Sequence, residues 1–170
     1  QLRGGYESDR WRLVVMERAT GEARILTENL DRWVGGFAWA PDSARLFLTV
    51  EDRGRQVIQS VAATGGAARA VASGPSHLDD IQLSADGKTM IYTEQRASLP
   101  VEIFRASSTG GSGVPLTRLN DALLAKYRLT PAEEFWVAGA EQARVHSFLV
   151  KPPGFQADRK YPVLFLIHGG

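Results

Sequence analysis

A repeat of about 44 residues constrains the fold of this chain more than any other feature. Thr-Gly turns begin at Thr20, Thr64 and Thr109, so successive copies are separated by 44 (64 − 20) and 45 (109 − 64) residues. A second turn keeps this spacing, because Ala40-Pro41-Asp42 aligns with Ser84-Ala85-Asp86, 44 residues further on (84 − 40). Short β-rich runs flank these turns. Units of about 40 to 45 residues with four short strands are typical of β-propeller blades.

The turn residues give the repeat a physical basis, since tight hairpins need residues that tolerate a positive φ. Three repeat units do not close a propeller, which has about four to eight blades. We therefore expect further blades before Gln1. Residues 1–118 are predicted to be the C-terminal blades of a β-propeller.

The pattern changes after the third unit. Asn120–Tyr127 combines a candidate N-cap with helix-forming residues, so residues 119–131 are predicted to be a linker with a short helix. Two strand-like runs follow, at Glu133–Gly139 and Arg144–Val150. Residues 132–170 are predicted to be the N-terminal strands of an α/β-hydrolase domain, cut short at Gly170.

The last eleven residues carry the most specific chemical signal. Val163–Ile167 is an uninterrupted apolar run between a proline and a glycine pair, which favours a strand buried on both faces of a parallel sheet. It ends in His168-Gly169-Gly170. An α/β-hydrolase takes one oxyanion-hole N–H from such a motif after its third strand. Glycine suits this loop because a Cβ would keep the backbone away from a substrate carbonyl.

Taken together, these motifs resemble those of the prolyl oligopeptidase family of serine peptidases, in its dipeptidyl-peptidase and acylaminoacyl-peptidase branch. The likeness covers nearly the whole chain. It rests on the order of the following segments before the His-Gly-Gly motif: Trp39-Ala-Pro-Asp42, Leu83-Ser-Ala-Asp-Gly87, Pro115-Leu-Thr117 with Asn120, Phe148-Leu-Val-Lys-Pro-Pro153 and Lys160-Tyr-Pro-Val163.

The resemblance implies a propeller that caps an α/β-hydrolase domain and limits which oligopeptides reach the active site. The serine, aspartate and histidine of that family come after the glycine motif, so none of the catalytic triad is expected here. His168, Gly169 and Gly170 carry over as the oxyanion-side loop. No cofactor and no metal are expected. The chain is interpreted as a fragment, because it begins at Gln1 and ends on a glycine pair. It is expected to be inactive by itself, because the triad would lie beyond Gly170.

Several other residues invite a functional interpretation but favour a structural one. His168 precedes any nucleophile, whereas the catalytic histidine of a hydrolase comes last. Asp79 and Asp80 are neighbours in a strand, where adjacent side chains point to opposite faces. Glu133-Glu134 resembles a substrate-amine pair of some family members, but it opens a hydrolase strand instead of lying in the propeller. Ser107–Gly113 lacks the Lys-Ser/Thr end of a phosphate loop and fits a blade hairpin.

Composition bounds the remaining function classes. A net charge of +1 gives no electrostatic case for nucleic acid or an anionic membrane surface. No run reaches the eighteen or so apolar residues of a membrane span. The chain has no cysteine, which excludes disulfides and thiolate metal sites but fits either redox compartment. A periplasmic or secreted location is expected if a leader was removed, and a cytoplasmic one otherwise; the oligomeric state stays open.

Two alternatives to a serine peptidase remain. One is a non-catalytic propeller that binds a protein or peptide, with residues 131–170 as a degenerate appendage. The other is a carboxylesterase, which would use a His-Gly-Gly-Gly form of the motif. Proline at position 171 would favour the peptidase and glycine the esterase. A downstream Gly-x-Ser-x-Gly would distinguish both enzymes from the binding module.

Overall fold

The structure is a computed structural model that describes residues 3–6 and 9–167. Within these residues the chain forms twelve strands, one α-helix (α1, Asp121–Leu124) and a 3-10 turn (Ala140–Gln142). The strands are β1 (Val14–Met16), β2 (Ala23–Ile25), β3 (Val34–Trp39), β4 (Arg45–Asp52), β5 (Arg55–Ala62), β6 (Arg69–Ala72), β7 (His77–Leu83), β8 (Thr89–Arg96), β9 (Leu99–Ser107), β10 (Val114–Pro115), β11 (Ala132–Ala138) and β12 (Arg144–Val150).

Two four-stranded antiparallel meanders form the body of the molecule. Strands β3 to β6 pair in sequence order as a first blade, and β7 to β10 pair in the same way as a second. One parallel bridge, between Gln56 and His77, joins the two blades through the backbone. Strands β1 and β2 form an antiparallel hairpin that packs against the first blade.

The positions of the Thr-Gly turns fix the phase of the repeat. Thr64-Gly65 joins the third and fourth strands of the first blade, and Thr109-Gly110 does so in the second. Both glycines have a positive φ, 95° at Gly65 and 112° at Gly110, which a side chain would strain. By the same alignment β1 and β2 correspond to the outer half of a preceding blade. The three sequence repeats are therefore two complete blades and one half-blade among the described residues.

Strand β4 lies at the centre of the core because both of its faces are buried. Leu46, Leu48 and Val50 pack into an apolar cluster with the β1–β2 hairpin, through Leu13 and Leu26. The opposite face carries Phe47 into a second cluster, shared with β5, β7, β8 and β9. The apolar run of β4 is continuous although the sheet is antiparallel, because this blade is covered on both of its faces.

The C-terminal part of the described chain is less regular. Helix α1 is a single turn of four residues, and its N-cap residue Asn120 makes no side-chain capping hydrogen bond. Strands β11 and β12 pair along their full length, from Ala132–Val150 to Ala138–Arg144. The predicted strand Val163–Ile167 has no regular structure, and its side chains are 80–85% exposed. A strand buried on both faces needs partner strands on each side, and the described residues supply none. The α/β-hydrolase start thus stays a prediction.

Candidate functional site

The predicted oxyanion-side residues His168, Gly169 and Gly170 lie outside the described residues. What the structure does describe is the region that leads to them. A cleft of about 490 Å³ lies where the β11–β12 hairpin meets one face of the blades. Its walls come from the β4–β5 and β8–β9 turns, the connection between the blades and the hairpin, through Gly54, Arg55, Pro75, Ser76, His77, Gln95, Arg96, Ala97, Ser98, Pro131, Ala132, Glu134 and Phe148.

Glu134 of β11 connects the hairpin to the first blade. Its Oε1 accepts a hydrogen bond from the Arg55 guanidinium of β5, and the two groups form an ion pair. Its Oε2 lies 3.3 Å from Nε2 of His146, its cross-hairpin neighbour. The Arg55 hydrogen bond holds the pKa of the Glu134 carboxyl below its ordinary value, with a smaller contribution from His146. The ion pair with Arg55 thus favours the ionised form of this carboxylate.

Three rings line the same face of the hairpin. The His146 ring lies parallel to Trp136, with centroids 4.4 Å apart and an interplanar angle of 7°. The Phe148 ring contacts His146, with centroids 4.6 Å apart and an interplanar angle of 46°. The Phe148 ring also lies against Gly54, where a Cβ would come within 2.5 Å of its Cζ. Only glycine leaves room for this ring, and its φ of 69° in the β4–β5 turn also favours glycine.

The blade wall of the cleft is held by a buried carboxylate. Glu94 of β8 is 6% exposed and accepts a hydrogen bond from Ser76 Oγ at 2.8 Å. Arg96 Nε donates to the same carboxylate at 2.7 Å. Nearby, the Gln56 amide donates to the Leu78 carbonyl at 2.9 Å across the two blades. These contacts fix the connection between the blades, so one wall of the cleft is preorganised.

A larger cleft of about 670 Å³ lies on the blades and is lined by the β3–β4, β7–β8 and β9–β10 turns. Its acidic side chains accept hydrogen bonds within those turns. Asp42 accepts a hydrogen bond from the Ala44 amide at 2.9 Å. Asp86 accepts hydrogen bonds from Ser84 Oγ at 2.6 Å and the Lys88 amide at 3.0 Å, and the Ser84 bond lowers its pKa. With its carboxylates already engaged, this cleft offers less chemistry than the hairpin cleft.

The two acidic pairs of the sequence, Asp79-Asp80 and Glu133-Glu134, each have their two carboxylates in different environments. Asp80 adopts a positive φ of 54° at a bulge and accepts a hydrogen bond from Thr93, whereas Asp79 lies 3.9 Å from His77. Glu133 pairs with Lys151 within the hairpin at 2.8 Å, while its neighbour Glu134 pairs with the blade. Residues 107–113 span the β9–β10 turn. Within residues 3–6 and 9–167, no cluster of three or more side chains has the makings of a metal site.

Sequence reasoning missed the junction between Arg55 and Glu134. The two residues are 79 positions apart, so neither periodicity nor a local motif indicates that they pair. Each residue alone is typical of an ordinary charged surface side chain. The position of Gly54 after Arg53, between two β-rich runs, was the nearest available hint of a tight turn there. None of the helices in the described part of the chain has the length and apolarity needed to cross a bilayer.

Comparison with known proteins identifies relatives for nearly the whole chain, although no family model matches it. Dipeptidyl-peptidase 5 of Porphyromonas gingivalis is 28% identical over 170 residues, which cover 99% of this chain and 24% of that protein. Dipeptidyl-peptidase 5 of Schizosaccharomyces pombe is 27% identical over 175 residues, covering 97% of this chain and 24% of that protein. The chain thus spans about a quarter of the length of these curated relatives.

Solved structures show the same fold. An acylaminoacyl peptidase bound to Z-Gly-Gly-Phe-chloromethyl ketone superposes with a TM-score of 0.73 at 18% identity, over 93% of this chain and 23% of that one. Dipeptidyl peptidase 4 of Porphyromonas gingivalis superposes with a TM-score of 0.65 at 20% identity, over 89% of this chain and 22% of that one. The propeller domain of the Trilobed protease from Pyrococcus furiosus superposes with a TM-score of 0.54 at 19% identity, over 69% of this chain and 34% of that one. These likenesses confirm both the β-propeller blades and the recognition of the chain as a segment similar to prolyl oligopeptidase-family peptidases.

Proposed function

We propose that this chain joins a substrate-limiting propeller to the catalytic domain of a serine peptidase that hydrolyses oligopeptides. The observation that carries the proposal is the docking of the β11–β12 hairpin against the face of the last blades, through Arg55–Glu134 and Phe148–Gly54. This arrangement occurs in a chain that aligns over 99% of its length with a dipeptidyl-peptidase 5. A hairpin fixed to the blades in this way would set the direction in which the following strand leaves.

Within this proposal, residues 1–118 restrict access and residues 132–170 begin the α/β-hydrolase domain. His168-Gly169-Gly170 forms the loop that contributes an N–H to the developing oxyanion. The nucleophile, acid and base come from later sequence, since these residues contain no Gly-x-Ser-x-Gly. Among peptidase activities we favour release of dipeptides, because both curated relatives described above carry that name along nearly the whole chain.

The substrate class can be tested in the protein that carries this chain. We expect a fluorophosphonate probe to label it and dipeptidyl p-nitroanilides with a free amino terminus to be cleaved. N-acetylated aminoacyl p-nitroanilides and p-nitrophenyl esters distinguish the other possibilities. Preference for the acetylated substrate would reassign it to acylaminoacyl-peptidase activity, and ester hydrolysis without peptide hydrolysis to an esterase. Absence of labelling and of turnover would favour the non-catalytic binding propeller.

The oxyanion role can be tested by adding bulk to the motif. Gly170→Val should obstruct the approach of the backbone to the substrate carbonyl. Loss of one oxyanion donor has cost about 10²–10³ in kcat in a serine protease, and we expect a loss at least that large. The loss should fall mainly on kcat, because the interaction forms chiefly in the transition state.

Gly65→Val is the matched control for Gly170→Val. Gly65 has a φ of 95° in a blade turn with open space around it, so valine there should lower the melting temperature through backbone strain. The turnover of the folded enzyme should stay nearly unchanged. Normal turnover by Gly170→Val, or an equal kcat defect in folded Gly65→Val, would remove His168–Gly170 from the oxyanion site.

A further inference from the structure

The β11–β12 hairpin is tied to the blades through a small set of side chains. Residues 119–131 connect it to the second blade, yet its described side-chain contacts reach the β4–β5 turn of the first blade. Two contacts meet at this turn: the Phe148 ring covers Gly54, and Glu134 pairs with Arg55. Gly54 and Arg55 are adjacent in sequence, so one turn supplies both a shallow socket for the Phe148 ring, which stays 46% exposed, and a charge.

The neighbouring side chains make this contact specific. Glu134 and Phe148 are directly opposite each other in the hairpin register, so both point to the same face. His146 contacts both of them, at 3.3 Å from the Glu134 carboxylate and 4.6 Å from the Phe148 ring. The three side chains therefore form one unit, and a shift of the hairpin would disturb the socket and the ion pair together.

We propose that Glu134 and Phe148, seated on Arg55 and Gly54, act as a latch that positions the hairpin on the propeller. Strand β12 runs through Lys151 into the segment that leads to His168–Gly170. Closing the latch thus fixes the start of the segment that carries the proposed oxyanion loop. These are positioning residues, since none of them touches a reacting atom. The link to catalysis rests on the proposed function; the latch itself does not.

Two adjacent carboxylates allow a matched test of the latch, because only one of them faces the blade. Glu134→Gln removes the charge that faces Arg55. Glu133→Gln makes the same chemical change one residue away, where the partner is Lys151 within the hairpin at 2.8 Å. Adjacent strand residues face opposite sides, so the control alters the surface that does not meet the blade.

Spin labels report the position of the hairpin directly. Ala67, in the β5–β6 turn, and Ala140, at the hairpin tip, are exposed and can be changed to cysteine for labelling. The 170 residues contain no cysteine, and any cysteine elsewhere in the protein that carries them is replaced first. Pulsed EPR should give one narrow distance for the protein that carries this chain and for Glu133→Gln. Glu134→Gln should raise the population of longer distances by up to about fivefold, the range of an exposed ion pair. Added salt should act in the same direction on the unaltered protein.

Two further variants separate positioning from loss of folding. Exchanging the charges, as Arg55→Glu with Glu134→Arg, should restore the narrow distance. Gly54→Ala should push Phe148 out of its socket and broaden the distribution, whereas Gly65→Ala shares the positive-φ strain but has nothing within 4 Å. An unchanged distance in both Glu134→Gln and Gly54→Ala, or equal broadening in Glu133→Gln, would overturn the latch.

Activity measurements then test the link to catalysis separately. If the latch positions the oxyanion loop, Glu134→Gln should lower kcat more than it raises KM, and the charge exchange should restore kcat. A broadened distance with unchanged kcat would keep the latch and reject its link to catalysis. Failure of the proposed peptidase activity would leave the EPR result intact, because that measurement involves no substrate.

Discussion

Glu102 shows how one buried carboxylate fixes the exit from the second blade. It is 3% exposed, and it accepts hydrogen bonds from the Thr117 hydroxyl and from the backbone and side-chain N–H groups of Asn120, the latter two at 3.1 Å. The Thr117 bond lowers the pKa of Glu102. The sequence motif Pro115-Leu-Thr117 followed by Asn120 therefore has a physical basis: both polar residues bind the same carboxylate.

We expect acid to weaken this junction. Because the pKa of Glu102 is lower in the folded chain than its ordinary value of 4.5, its contribution to stability is complete above that value. That contribution is lost as the pH falls through the lowered pKa. Glu102→Gln should lower the melting temperature at neutral pH by a few degrees and should flatten the dependence of the melting temperature on pH below about 4.5. A variant that melts with the same steep acid dependence would contradict this role.

At the scale of elements, most strands of the blades could be predicted because turn chemistry and β-rich runs act locally. The runs at Arg45–Val50 and Thr89–Thr93 fall within β4 and β8. The phase of the repeat was not predictable in this way, since every strand of a meander looks like the next. It depends on which strand lies at the edge, and this follows only from pairing across the sheet.

The double burial of β4 yields a matched pair of variants. Phe47 is 1% exposed between the blades, whereas Phe37 on β3 is 57% exposed. Phe47→Ala should destabilise the protein by about 3–5 kcal/mol through lost burial and a cavity. Phe37→Ala makes the same chemical change with an expected cost of about 0.5 kcal/mol or less. Urea unfolding of both variants measures the loss of unfolding free energy. Equal losses would mean that the second face of β4 is not covered in solution.

At the scale of the whole molecule, the propeller blades were predictable and the contact between the hairpin and the first blade was not. The repeat spacing determines a propeller because each blade must pack its two faces against neighbours. The latch depends on Arg55 and Glu134, 79 residues apart, which only the folded chain brings together. The apolar run Val163–Ile167 could be recognised as a pattern, but a buried strand there would need partner strands that the described residues do not contain.

The 170-residue chain by itself should show no hydrolase activity, because the nucleophile motif is absent from it. Purified chain should give no more product than a heat-killed control with aminoacyl p-nitroanilides or p-nitrophenyl esters, and it should not react with fluorophosphonate. Turnover above that control would place a nucleophile within these residues and would contradict the proposed location of the triad.

Among the described residues, one backbone bridge, Gln56 to His77, joins the two blades, and this has an evolutionary consequence. Each blade satisfies most of its backbone hydrogen bonds within its own four strands, so its neighbours are joined to it chiefly through apolar side chains. Duplication or deletion of one gene segment of about 44 residues can then add or remove a blade while leaving few orphaned backbone groups. Selection then has only to make the apolar faces of the two newly neighbouring blades complementary. Blade number is therefore a variable that such a lineage can explore in single genetic steps.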